Sequence, residues 1–110
     1  MGEDQSHDVL ATALRRRVLE SGVIPAQLRE ALLAVGAGAA PGVAMPHAAL
    51  ARDIADASYR VTDEQVAAAR DAAGSDRAAF EIVMSASIGA GLRRWDSAVR
   101  AIREVADATS

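Results

Sequence analysis

One helical phase dominates this chain of 110 residues. From Ile82 to Leu92 there is no charged residue, and every position is apolar or tiny, with Ser85, Ala86, Ser87, Gly89, Ala90 and Gly91 contributing almost no bulk. A helix with no polar face needs enclosure on all sides, so this segment is expected to be the central helix. Beyond Leu92 one face turns polar through Arg93, Asp96, Arg100, Arg103, Glu104 and Asp107, and the Asp96–Arg100, Arg100–Glu104 and Arg103–Asp107 spacings suit i,i+4 pairing. The opposite face continues in phase through Trp95, Val99, Ile102 and Ala106. The pattern predicts a nearly continuous helix from about Asp76 to Ala106, about 46 Å long at about 1.5 Å per residue. A compact domain of this length has a radius of gyration of only about 13 Å, so the helix overshoots its own domain. Either it kinks at Gly89 and Gly91, or its distal half packs on another subunit and Trp95, Val99 and Ile102 are interface residues.

Glycine and proline divide the rest. After a leader, residues 1–7, expected to be disordered, residues 8–110 read as a single helical domain. Val9, Leu10, Ala13, Leu14 and Val18 recur at helical spacing, giving a helix from about Asp8 to Ser21 that stops at Gly22. Pro25 suits the first position of a second helix, with Leu28, Leu32 and Val35 on one face and Gly36 at its end. The stretch from Gly36 to Pro46 holds three glycines and two prolines and reads as a long loop. A third helix opens at Pro46 and His47, buries Leu50 and Ile54, and runs to about Tyr59. The fourth start is the sharpest local signal: Thr62 as N-cap, Gln65 as its capping-box partner, and Val61 stapled to Val66. That helix ends at Gly74, and Ser75 caps the fifth. The fold class is therefore all-α: a five-helix bundle with a long C-terminal helix and no sheet.

Composition explains why such a chain seeks partners. Of 56 hydrophobic residues 27 are Ala, and apart from Met1 only 28 large apolar side chains remain. So thin a core favours homo-oligomerisation, which buries more apolar surface. Only Tyr59, Phe80 and Trp95 are aromatic, which argues against strands. There is no Cys, so disulfides, thiolate nucleophiles and thiolate metal sites are all excluded. Every one of the 12 basic residues is Arg, and there is no Asn; with the Ala excess this points to a GC-rich, bacterial coding genome. The net charge of −3 argues against a nucleic-acid partner. The one basic cluster, Arg15, Arg16 and Arg17, reads as a solvated helix face. No apolar run is long enough for a membrane helix, and the start at Met1-Gly2-Glu3-Asp4 is acidic where a signal peptide is basic, so a soluble, cytoplasmic protein is expected.

The segment from Tyr59 through Val61-Thr-Asp-Glu-Gln-Val66 and Gly74-Ser-Asp76, followed by Ala79-Phe-Glu-Ile-Val83 and Gly89-Ala-Gly-Leu-Arg-Arg-Trp95, resembles the C-terminal half of the alkylhydroperoxidase D and carboxymuconolactone decarboxylase family. The match runs from Tyr59 to about Ala101 and rests on the order and spacing of caps and turns. It implies an alkylhydroperoxidase D-like all-helical fold that assembles as dimers, trimers or hexamers. Redox members reduce peroxides through a Cys-x-x-Cys pair with a nearby Glu and His. This chain lacks that pair, so thiol peroxidase chemistry is excluded whatever the fold. The decarboxylase-type members work by acid–base chemistry, which the absence of cysteine does not forbid.

Glu81 falls near the face of Met84, Ile88 and Trp95, where partial desolvation would raise its pKa and suit an acid–base role; the bland reading is a first-turn Glu that reaches solvent. His47 follows the long loop at a helix N-terminus, which would lower its pKa; without a second ligand at metal spacing it reads as a surface residue or a base. Arg94, aligned with the family's terminal Arg, is expected in a salt bridge with a neighbouring helix, or as an anchor for a substrate carboxylate. Tyr59 reads as a core-edge aromatic with its hydroxyl in water, or as a substrate contact. Nothing in the sequence calls for a cofactor or metal, and the glycine-rich loop lacks the ending of a P-loop. The leading expectation is an oligomeric structural or interaction module. The alternative is a small-molecule enzyme of decarboxylase or lactone type using Glu81 and His47 with Arg94 as anion anchor. A helix-turn-helix regulator over Thr62 to Leu92 conflicts with the acidic charge and the apolar second helix.

Overall fold

The computed structural model describes residues 3–20, 22–39 and 42–109. Among these there are five α-helices and no strand: α1 (Glu3–Glu20), α2 (Ala26–Gly36), α3 (His47–Ala57), α4 (Asp63–Ala73) and α5 (Asp76–Thr109), with a 3-10 turn at Ser58–Arg60. α1 begins five residues ahead of the expected Asp8, so residues 3–7 of the expected leader are helical; Met1 and Gly2, and the expected helix end at Ser21, lie outside the described residues. α3 stops at Ala57 and the chain tightens into the 3-10 turn before Tyr59 is passed. Of the long loop, Ala40 and Pro41 lie outside the described residues.

α5 is helical without interruption through Gly89 and Gly91 for 34 residues, about 51 Å. That length nearly equals the 54 Å long dimension of the molecule, whose other extents are 28 and 20 Å. The radius of gyration, 15.6 Å, exceeds the roughly 13 Å of a compact chain this long.

Caps set where the helices start. Thr62 Oγ1 accepts from the Gln65 backbone N–H at 3.2 Å, and Gln65 Oε1 accepts from the Thr62 N–H at 3.0 Å. The same Gln65 donates through Nε2 to Asp53 at 2.8 Å, which ties α4 to α3. Val61 and Val66, on either side of that cap, both pack on the core. Ser75 Oγ accepts from the Ala78 N–H and opens α5.

α2, α3 and α4 pack along the first half of α5 around Leu32, Leu50 and Ile82, which are fully buried. The tightest contact is the α2–α5 crossing. A Cβ at Gly36 would lie 2.1 Å from the Ala86 carbonyl oxygen, and a Cβ at Gly89 would lie 2.1 Å from that of Leu33. Each glycine therefore receives the backbone of the opposite helix.

The enclosure expected for Ile82 to Leu92 is incomplete. Ile82, Ser85, Ala86, Ala90 and Leu92 are buried, but Met84 is 39% exposed. That side faces α1, which runs antiparallel to α5 and covers it incompletely. Ala11 is buried there, yet Leu10 and Leu14 remain 67% and 41% exposed. Asp96 reaches across to Arg15 of α1 at 3.2 Å, so one residue of the expected solvated arginine face is engaged.

Gly89→Ala must push two backbones apart and is expected to cost about 2–3 kcal/mol, lowering the thermal midpoint by about 10 °C. Gly91 has nothing within 4 Å of its Cβ position, so Gly91→Ala is expected to gain about 0.5–1 kcal/mol from helix propensity. Thermal melts of the two variants followed by circular dichroism check the opposite signs.

Candidate functional site

The one strongly buried charged cluster among the described residues forms where the α1–α2 connection meets α5. Gly22 adopts φ +149° and leads into an extended turn whose next two N–H groups point at the Glu81 carboxylate. The Val23 N–H reaches Oε1 at 2.8 Å and Oε2 at 2.7 Å, and the Ile24 N–H reaches Oε1 at 3.4 Å. Only glycine fits at 22, since a Cβ there would lie 1.9 Å from Glu81 Oε1. Arg29 of α2 stands 3.6 Å from Oε1 on one side, and Arg77, one turn earlier on α5, stands 3.6 Å from Oε2 on the other. Arg29 also donates through Nη1 to the Ile24 carbonyl.

Glu81 is 8% exposed and Arg29 5%. The carboxylate thus neither reaches solvent as a first-turn Glu nor stands uncommitted in a pocket. Both of its oxygens are occupied by backbone N–H groups and guanidinium groups, and the cluster closes the turn that launches α2. Arg29 was invisible to periodicity: it sits on the buried face of α2 between Leu28 and Leu32. The available signal was Gly22 followed by Pro25, which marks a tight turn needing an acceptor for its N–H groups.

His47 is the first residue of α3. Its Nδ1 is buried and has no hydrogen-bond partner among the described residues. Burial pushes its pKa below the usual 6.5, in the direction expected, although desolvation and not the helix terminus is the cause. Glu81 lines a cavity of about 90 Å³ with Val18, Phe80 and Met84, and His47 is not part of its wall. The two proposed acid–base partners are therefore not brought together there.

Among the described residues Arg94 makes no salt bridge with a neighbouring helix; its Nη2 donates to the Ala55 carbonyl at 3.1 Å, near the end of α3. Tyr59 is not a core-edge aromatic: it is 83% exposed on the 3-10 turn, where Arg60 lies over its ring at 5.8 Å. The short turn after Ala57 turns the ring outward. Arg94 instead lines a cavity of about 500 Å³ with Asp56, Arg93 and Ser97. Among the described residues no group of three His, Asp or Glu side chains is placed to hold a metal, and no helix is long and apolar enough to cross a membrane.

The remaining feature is apolar. Leu10, Ala11, Leu14, Ile88, Leu92 and Trp95 line an open groove of about 340 Å³ between α1 and α5. Trp95 is 44% exposed, and farther along α5 Ile102 and Val105 are 69% and 65% exposed, with Val99 half-buried. The expected interface residues thus lie on one uncovered stripe, which α1 extends through Leu10 and Leu14. Comparison with known proteins adds no relative: no family model, curated protein or solved structure matches the chain.

Glu81→Gln leaves a buried guanidinium without its counter-charge, and urea denaturation is expected to show a loss of about 3 kcal/mol. The lowered pKa of His47 has a definite sign. The unfolded chain protonates first as pH falls, so stability present above pH 6.5 is lost as pH drops through the lower folded value. Wild type is therefore expected to lose more stability than His47→Gln between about pH 7.5 and 5.5; parallel urea midpoints for the two proteins would contradict this.

Proposed function

We propose that this chain is an oligomeric helical module, acting in the cytoplasm without thiol chemistry, whose copies meet through the α1–α5 apolar face. The observation that carries the reading is the partly exposed apolar stripe from Leu10 and Leu14 through Ile88 and Trp95 to Ile102. An exposed apolar surface of this kind, on a chain with so few large apolar side chains, marks an interaction site. A second copy fits it best. Each copy presents the same apolar face, so one isologous contact about a two-fold axis covers both stripes at once.

The resemblance of residues 59–101 to the alkylhydroperoxidase D and carboxymuconolactone decarboxylase family supports the same reading, because that family assembles. The absence of cysteine removes its peroxide chemistry and leaves the scaffold. The engaged carboxylate of Glu81 supports a structural role over a catalytic one.

Sedimentation velocity at tens of micromolar is expected to give a dimer or larger closed assembly. Trp95→Glu, with Leu14→Glu as an independent probe on the other wall, is expected to yield monomers that keep the helical circular dichroism. A wild-type monomer at these concentrations would sink the proposal.

A further inference from the structure

Past the ends of α2 and α3, α5 runs on, and its core-facing stripe changes character. Ile82, Ala86 and Ala90 give way to Arg93, Arg94 and Ser97, and these three wall the cavity of about 500 Å³ together with Asp56 and the helix ends at Gly36 and Ala55. The bond from Arg94 to the Ala55 carbonyl fixes that side chain while using one of its five N–H donors. Arg93 lies across Gly38, with Nη1 and Cζ 3.1 and 3.2 Å from where a Cβ would stand, so the glycine leaves room for the guanidinium. Neither Arg93 nor Asp56 forms an ion pair among the described residues. Opposite charges thus line one cavity without meeting.

An occupant that satisfies both walls carries both signs a short distance apart. A simple anion would face Asp56, and a simple amine would face two guanidinium groups. We propose that this cavity binds a free α-amino acid, with its carboxylate on Arg93 and Arg94 and its ammonium on Asp56 and the C-terminal end of α3. Guanidinium groups take a carboxylate through paired N–H donors, and the exposed carbonyls of a helix end favour a cation. Ser97, one turn beyond Arg93, adds a hydroxyl donor for the carboxylate. The volume lies within the range of small-molecule sites, about 300–1,000 Å³, so a side chain is accommodated. The site goes beyond the oligomer reading and does not depend on it. Gly91, Leu92 and Trp95 face the groove with α1, whereas Ala90, Arg93, Arg94 and Ser97 face the opposite side of α5.

The test is an amide-resolved NMR titration of the full chain with L-alanine, propionate and ethylamine in turn. L-alanine is expected to give saturable shifts confined to residues 36–38, 55–57 and 90–97, and the two half-ligands to bind about tenfold more weakly or worse. Arg93→Gln is expected to weaken L-alanine by about tenfold, and Asp56→Asn to abolish the preference for L-alanine over propionate. Ser97→Leu fills the cavity from an exposed position and is expected to eliminate binding with the fold intact, which covers the case of Arg93→Gln failing to fold. Equal or non-saturating responses to all three compounds, saturable shifts elsewhere, or binding retained by Ser97→Leu would overturn the proposal. None of these results depends on whether the protein sediments as a monomer.

Discussion

At the crossing of α2 and α5 the two backbones touch. Gly36 lies against Ala86 and Gly89 against Leu33, each within a distance that no Cβ would tolerate. With so few large side chains, the core gains density by bringing helices close and not by filling a wide gap between them. Dispersion acts at contact distance, so small residues at a crossing replace bulk with proximity. The buried alanines Ala51, Ala69, Ala78 and Ala86 serve the same geometry around Ile82.

The crossing holds only if α2 is launched at the right angle, and that is the work of the Glu81 cluster. One carboxylate collects the N–H groups of Val23 and Ile24 and stands beside Arg29, which in turn binds the Ile24 carbonyl. A turn whose N–H groups are buried needs such acceptors. The cluster also joins α2 to α5 by charge some two turns before the glycines join them by contact.

α5 consequently serves three environments along one rod. Its first half is packed by α2, α3 and α4. On the side toward α1 a long apolar stripe stays partly open, and on the other side, beyond the ends of α2 and α3, a charged cavity opens between Asp56 and the two arginines. The charged cavity follows from α5 being longer than α2 and α3, and the open stripe from the incomplete cover that α1 gives it.

Much of this was legible in the sequence. The caps at Thr62 and Ser75 and the all-helical class follow from local chemistry, and a phase that survives two glycines favoured a continuous α5 while leaving a kink at Gly89 and Gly91 open. Those signals act within a turn or two of chain, where spacing and geometry are equivalent. Pairings between distant segments carry no such signature. Arg29 and Glu81 are 52 positions apart, Gly36 and Ala86 are 50, and each looks ordinary in its own neighbourhood. Periodicity placed Leu10 and Leu14 on an apolar face but had no means of saying that α5 would leave them uncovered, and it put Tyr59 at a core edge that the 3-10 turn directs into solvent. Helix formation is decided by neighbours, so the helices could be read along the chain; which charges are buried and which apolar face stays open depends on what the rest of the chain brings alongside, and that emerges only in the packed fold.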